Sequence, residues 1–507
     1  MSASTSVEPI HTDLLINGEE VHAGDRQPVH NPAAPDEIVG YISAATVDQA
    51  TAAVDAAAGA WPMWSAMAPT KRAEVLTTAL RGLDQTEARA ALLTRENGKI
   101  LQEAKTELGV FVSRCQLAAA LADQLGRTED LPVPSAPEAA EAPTPSLPPF
   151  RSRVNALPVG VTTIIVPYNW PLAILAASLP YALVAGNPVI VKPPPTSPLA
   201  VVETLRLLAR GLPPGVLNVV TGDNESVAPV IEDRRVQKIV FTGSTSAGQY
   251  MMTTAAKNLT RVTLELGGND PAVVLDDATL DQDALQRLVT GSFLTTGQVC
   301  MGIKRLYVHR SRFAEVIDGM SDILSRYRIG NGLDADISMG PLNNAQQRDK
   351  VRQLCDEARS AGHEVRELGT IDPDAQSAGG YFLPATVVLD PAPDSKIVTT
   401  EQFGPALPIA PFDDENALID QLNDEWAGLC SSVWSADPER AADAADRLRT
   451  GTVWINNHNA VAQDDRAPFG GFRQSGIGRE LGVDGLLDFT EPHTVTYSVP
   501  GETGAQS

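Results

Sequence analysis

Between residues 159 and 242 short apolar runs alternate with helix-length segments, and that alternation leaves few folds open. Residues 159–166, 188–192, 216–221 and 238–242 read as strands, with helices at 174–185 and 199–209. A strand that is apolar at nearly every position has no face to give to water. It needs helices on both sides of a mostly parallel sheet. A second region repeats the pattern, with strand-like runs at 272–275, 305–309, 407–412, 431–434 and 453–456, an apolar run at 381–389, and helices at 313–327 and 345–361. The expected fold class is α/β with more than one domain, as 507 residues require.

The segment before residue 125 differs. Residues 1–12 read as unstructured, and 14–21 as a hairpin turning at Asn17-Gly18. Four helices are expected after it: one capped by Thr46 and running through Ala60, then 70–83, 86–96 and 101–124, the third stopped by Asn97-Gly98. The proline-rich stretch 132–149 can be neither helix nor central strand and reads as an exposed linker or arm. A net charge of -24 without any basic stripe argues against a nucleic-acid partner. No run of 18 apolar residues exists and the N-terminus has neither basic nor apolar region, so no membrane span or signal peptide is expected. Cys115, Cys300, Cys355 and Cys430 are widely spaced and the seven histidines scattered, which fits a reducing cytoplasm and gives no metal-site spacing.

Chemistry concentrates at three places. Cys300 ends a glycine-bracketed stretch, GSFLTTGQVC (291–300), just before a strand. Glu265 runs from a strand into two glycines in LELGGNDP (264–271), and Asn169 sits in a proline-bracketed turn, PYNWP (167–171). A thiol nucleophile needs a base and a donor aimed at the developing oxyanion, and Cys300, Glu265 and Asn169 offer one of each. Gly243 and Gly248 lie five apart at a strand-to-helix junction in FTGSTSAG (241–248). That spacing suits phosphate approach to a helix start, though glycine-rich turns are common and this is not the six-residue dinucleotide fingerprint.

With VIVKP (189–193), EQFGP (401–405) and PFGGFRQSGIGRE (468–480) in the same order, the chain resembles the NAD(P)-dependent aldehyde dehydrogenase superfamily from about residue 14 to 499. The resemblance implies a Rossmann-type cofactor domain (1–135 and 156–263), an α/β catalytic domain (264–455), a glycine-rich return loop (456–485), and a small β oligomerisation arm and strand (136–155 and 486–500). It implies that Cys300 attacks an aldehyde to give a thiohemiacetal, that Asn169 and the Cys300 N–H hold the oxyanion, and that Glu265 activates the water hydrolysing the thioester. Lys192 then corresponds to the adenosine-ribose lysine, Gly243 and Ser244 to the pyrophosphate turn, and Glu401 and Phe403 to the nicotinamide-ribose pair. Trp170, Leu294 and Met301 would line an apolar aldehyde tunnel. The cofactor would be NAD or NADP, the partner a small aldehyde, and the assembly a homodimer or homotetramer.

There are departures from the family pattern. Thr295 stands where asparagine is common, Arg473 replaces a frequent lysine, and Asn224 replaces a second glycine. Pro195 occupies the place of a glutamate often found in NAD-preferring members, which removes a repulsion toward the NADP 2′-phosphate without adding an arginine to hold it. The leading expectation is oxidation of an aldehyde to its acid. The alternatives are thioester release to coenzyme A, or a non-catalytic protein on the same fold.

Overall fold

The protein is described here from a computed structural model covering residues 8–84, 86–125, 129–130 and 150–498. The proline-rich 132–149 segment lies outside these residues.

The first apolar alternation becomes an eight-stranded sheet. Its order is Gly476–Ile477, Arg261–Glu265, Val236–Thr242, Val161–Ile165, Val189–Lys192, Leu217–Val219, Leu14–Ile16, Glu19–Val21. The five central strands are parallel; Gly476–Ile477 and Leu14–Ile16 flank them antiparallel, and Glu19–Val21 pairs antiparallel with Leu14–Ile16. Val161–Ile165 and Val189–Lys192 are buried at every position, the two-faced burial that their composition calls for. Helix Pro171–Ala185, buried at every residue but Ile174, packs on this sheet and ends at left-handed Gly186. Chain succession reverses between Val161–Ile165 and Val236–Thr242, and such a reversal opens a crevice at the carboxyl ends of the strands, where open parallel sheets take ligands.

The hairpin turns through Asn17 and Gly18, with φ of 55° and 80°. Residues expected to be unstructured instead include strand Ile10–Thr12, parallel to Ala34–Ser43 in a three-stranded sheet completed by Arg26–Asn31. Backbone pairing organises this short polar stretch, whose side chains carry no apolar period. Thr46 and Gln49 form a full capping box on helix Val47–Ala66. Pro69–Leu80, Thr86–Asn97 and Leu101–Ala120 follow. The last is shorter than expected and passes into a 3₁₀ turn, Ala122–Gln124. Trp64, Leu76, Leu93 and Phe111 from these helices share one core with Leu175, Leu179 and Leu183.

The second sheet runs Glu364–Leu368, Ala385–Leu389, Ala406–Phe412, Arg305–His309, Pro271–Val274, Cys430–Trp434, Thr452–Ile455. Only Glu364–Leu368, a strand without an apolar period, is antiparallel. The apolar run expected over 381–389 becomes strand only from Ala385, because Pro384 precedes it and cannot donate to the ladder. Thr490–Ser498, starting four residues earlier than its apolar signal, pairs antiparallel with Phe150–Pro158 through nine residue pairs and forms the outer strand of a third sheet.

Candidate active site

Four of the singled-out positions hang from the same end of adjacent parallel strands. Lys192 closes Val189–Lys192, Asn169 follows Val161–Ile165, Gly243 follows Val236–Thr242, and Glu265 closes Arg261–Glu265. In register, Ile165 faces Lys192 and Thr242 faces Glu265. The Gly243 N–H donates to the Glu265 carbonyl at 3.0 Å, tying the glycine turn to that carboxylate's backbone.

The turn carrying Asn169 rests on a buried ion pair. Lys99 Nζ binds Glu107 and donates to the Asn169 carbonyl at 2.7 Å, while Glu107 Oε1 accepts from the Leu172 N–H at 2.7 Å. Both charged side chains are fully buried, and breaking one partner of such a pair generally costs about 3–5 kcal/mol. Lys99 Nζ also lies 4.2 Å from the Trp170 ring centroid. Sequence reasoning passed over both residues. The available signal was a carboxylate inside an apolar stripe, since Ala104, Glu107, Leu108, Phe111 and Cys115 are all buried on one helix face. Asn169 Oδ1 itself is buried without a hydrogen-bond partner among the described residues.

Cys300 follows helix Gln282–Phe293 and a 3₁₀ turn, Leu294–Gly297. Thr295 and Thr296 in that turn have φ of 51° and 58°, left-handed values that β-branched residues avoid, at a general cost of about 1–3 kcal/mol each. Gly297 continues at φ 71°, and a Cβ there would meet the Gly404 carbonyl oxygen at 2.3 Å. The turn is fastened at each residue. Thr295 N donates to Glu103 Oε1 at 2.8 Å, Thr296 Oγ1 to the Gly340 carbonyl at 3.0 Å, and Lys304 Nζ to the Gly297 carbonyl at 2.8 Å.

Burial pushes the partly exposed Cys300 thiol up to about 12, with Glu401, Asp270 and Glu265 adding to the rise and Lys304 opposing it. Glu265 is held well above the usual carboxylate range by burial and by Glu480, against Arg479. Both its carboxylate oxygens are buried without a hydrogen-bond partner among the described residues. A carboxyl group with raised proton affinity and both oxygens free can, once ionised, take a proton from water.

Trp170, Leu294 and Met301 fall in one apolar cluster with Ala173 and Val299. Two cations touch that cluster, Lys99 over the Trp170 ring and Arg114 donating to the Ala173 carbonyl at 2.8 Å, and each is paired with a carboxylate, Glu107 and Asp465. Arg473 does not reach it: its guanidinium donates to the Ala427 and Asn423 carbonyls, bracing the glycine-rich loop. Ser475 Oγ in the same loop donates to the Gly267 carbonyl at 2.9 Å.

At the strand reversal a cleft of about 500 Å³ is lined by Lys192, Pro193, Pro194, Pro195, Gly243 and Ser244, among others. Ser244 caps helix Thr245–Ala256, whose first N–H groups open here. Lys192 is buried, with its pKa lowered by burial against the pull of Asp223. Its ammonium has no carboxylate within ion-pair distance among the described residues, so it is available to an oxygen-rich ligand. These features fit a dinucleotide. Glu401 stands apart from this cleft, beside Cys300: its carboxylate accepts from Gly268 N at 3.4 Å, and a Cβ at Gly267 would lie 2.5 Å from its Oε2. Phe403 meets the Tyr168 ring edge-on at 6.2 Å. No group of His, Cys, Asp and Glu that could hold a metal ion is present among the described residues.

Residues 20–495 match the model of the aldehyde dehydrogenase family. The chain is similar to a phenylacetaldehyde dehydrogenase of Pseudomonas fluorescens, 34% identical over 96% of this chain and 95% of the relative. It is also similar to an NADP(+) succinate-semialdehyde dehydrogenase of Escherichia coli, 33% identical over 94% of this chain and 96% of the relative. A solved betaine aldehyde dehydrogenase of Staphylococcus aureus in complex with NAD+ superposes with a TM-score of 0.88 at 30% identity, covering 98% of this chain and 97% of its own. The chain belongs to the aldehyde dehydrogenase family. It is an NAD(P)-dependent enzyme that oxidises an aldehyde to the carboxylic acid through a cysteine nucleophile.

Proposed function

We propose that this enzyme oxidises aromatic or medium-length aliphatic aldehydes, phenylacetaldehyde among them, with Cys300 as nucleophile. The carrying observation is the apolar cluster of Trp170, Leu294, Met301, Ala173 and Val299 next to Cys300, whose neighbouring cations are already engaged: Lys99, over the Trp170 ring, is paired with Glu107, and Arg114, which donates to the Ala173 carbonyl, is paired with Asp465. A carboxylate-bearing aldehyde needs a cation to offset its desolvation there. The 34% identity to a phenylacetaldehyde dehydrogenase supports the same class. Comparing kcat/KM for phenylacetaldehyde, hexanal and succinic semialdehyde tests it. The first two are expected to exceed the third by at least about tenfold, and a preference for succinic semialdehyde overturns the assignment.

In the proposed mechanism Cys300 loses its proton to solvent, and the thiolate adds to the aldehyde carbon. The Asn169 amide and the Cys300 N–H hold the resulting oxyanion. NAD or NADP, when bound, supplies the hydride acceptor. Lys192 would hold ribose oxygens, Gly243 and Ser244 would pass the pyrophosphate, and Glu401 with Phe403 would orient the ring end. Glu265 then deprotonates the water that hydrolyses the Cys300 thioester, releasing the acid and free thiol. The free lone pairs of Glu265 favour water over coenzyme A as the acyl acceptor.

The division into a cofactor domain (1–135 and 156–263), a catalytic domain (264–455), a return loop (456–485) and an arm with a final strand (136–155 and 486–500) follows the same reading. The shared core of the N-terminal helices and Pro171–Ala185 supports it. The outer strand Thr490–Ser498 leaves one backbone edge unpaired among the described residues, and such an edge is best covered by a second subunit. The assembly is therefore a homodimer or homotetramer, a question for light scattering on the full chain. The four free cysteines favour a cytoplasmic setting.

Pro195 lies exposed on the rim of the Lys192 cleft, so the site tolerates NADP beside NAD. Pro195→Glu is expected to raise the NAD-to-NADP ratio of kcat/KM by about tenfold, through weaker NADP use, since one repulsive contact of about 1.4 kcal/mol suffices. A parent enzyme already favouring NAD a thousandfold or more contradicts this account of Pro195.

A further inference from the structure

Thr295 departs from the family's usual asparagine, and its hydroxyl meets Trp170 Nε1–H at 2.9 Å. Both side chains are buried. The bond joins the strained turn that leads to Cys300 with the turn that carries Asn169, two segments 125 residues apart in sequence. From below, Glu103 on helix Leu101–Ala120 accepts the Thr295 N–H at 2.8 Å, which holds the threonine in its left-handed conformation. The indole is thus gripped at its nitrogen by Thr295 and on its face by Lys99.

We propose that Thr295 is a positioning residue that fixes the Trp170 indole as a wall of the aldehyde tunnel, and so helps set the size of aldehyde the enzyme accepts. The inference rests on the assignment of Trp170 to that tunnel. Without the hydroxyl, the buried indole N–H loses its acceptor, and a buried donor left unsatisfied is costly enough to turn the ring toward the tunnel, where a water can meet it. Bulky aldehydes then lose more than short ones.

Thr295→Val tests this, because valine is equally β-branched and leaves the backbone strain unchanged while removing the oxygen; the bond of the same hydroxyl to Glu103 is lost in both Trp170 backgrounds and so cancels in their comparison. The readout is the ratio of kcat/KM for phenylacetaldehyde to that for propanal, in each variant and in the Trp170→Phe background. Thr295→Val is expected to lower the ratio about tenfold, the effect of one lost buried hydrogen bond. Thr295→Ser, which restores the hydroxyl, is expected to stay near the parent ratio. In Trp170→Phe, which has no N–H to hold, adding Thr295→Val is expected to change nothing further. An unchanged ratio in Thr295→Val, or an equal fall in both backgrounds, overturns the positioning role. If Trp170→Phe alone leaves the ratio at the parent value, the tunnel assignment itself fails. A changed Trp170→Phe with an unaffected Thr295→Val sinks only the role of Thr295. Should Thr295→Val fail to fold, Thr295→Ala removes the same oxygen with less backbone strain and gives the same discrimination.

Discussion

Cys300→Ala is expected to abolish steady-state oxidation, by at least about a thousandfold, since no other group can form the covalent adduct. The fold has little reason to change. The thiol is partly exposed, and removing one sulfur leaves a small void at the surface of a core whose other members stay in place. The thermal midpoint and the affinity for NAD, followed by quenching of tryptophan fluorescence, are expected to stay close to the parent. Residual turnover within tenfold of the parent refutes Cys300 as nucleophile. The other three cysteines offer an internal comparison. Cys115, Cys355 and Cys430 are fully or nearly fully buried, and burial drives their thiols up as well.

Glu265→Gln is expected to separate the two halves of the reaction. Glutamine keeps the shape of the side chain but accepts no proton from water, so steady-state turnover falls by about a hundred- to ten-thousandfold. Rapid mixing should still show a burst of reduced cofactor, with the acyl-enzyme outliving it. Deacylation at the parent rate, measured directly, removes Glu265 from the hydrolytic step. The pH dependence has a definite sign. Burial and Glu480 raise the Glu265 pKa, so parent deacylation rises with pH as the carboxyl group ionises, and this dependence disappears in the glutamine variant. Stability follows the opposite course. The folded state holds this proton more tightly than the unfolded chain, so the parent loses stability as pH rises from the ordinary carboxylate range toward the raised folded value. Glutamine has no charge to desolvate, and the variant's thermal midpoint at neutral pH is not expected to fall.

The strands around Ile164, Ile190 and Val240 were legible because burial on two faces writes itself into composition. The Asn17-Gly18 turn and the Thr46 cap were legible because their chemistry is confined to adjacent residues. Ile10–Thr12, Arg26–Asn31 and Glu364–Leu368 were not, since edge strands draw their order from a partner's backbone and need no apolar period of their own. At the site, Cys300, Glu265 and Asn169 stood out by their glycine and proline neighbours. Lys99 and Glu107 did not, because what they support lies 65 to 70 residues away and leaves no local mark. Thr295 was visible only as a departure, and its bond to Trp170 spans 125 residues.

The proposed tunnel cluster also bears on how this enzyme can change its diet. Trp170 shares a peptide bond with Asn169, and Met301 shares one with Cys300. On the proposed roles, a new side chain at either position tugs on the backbone of a group that touches the reacting carbonyl. Leu294 sits six residues before Cys300, at the start of the fastened turn. Divergence toward new aldehydes therefore has its freest path through Leu294, where the pocket can be recut while the reacting groups keep their places.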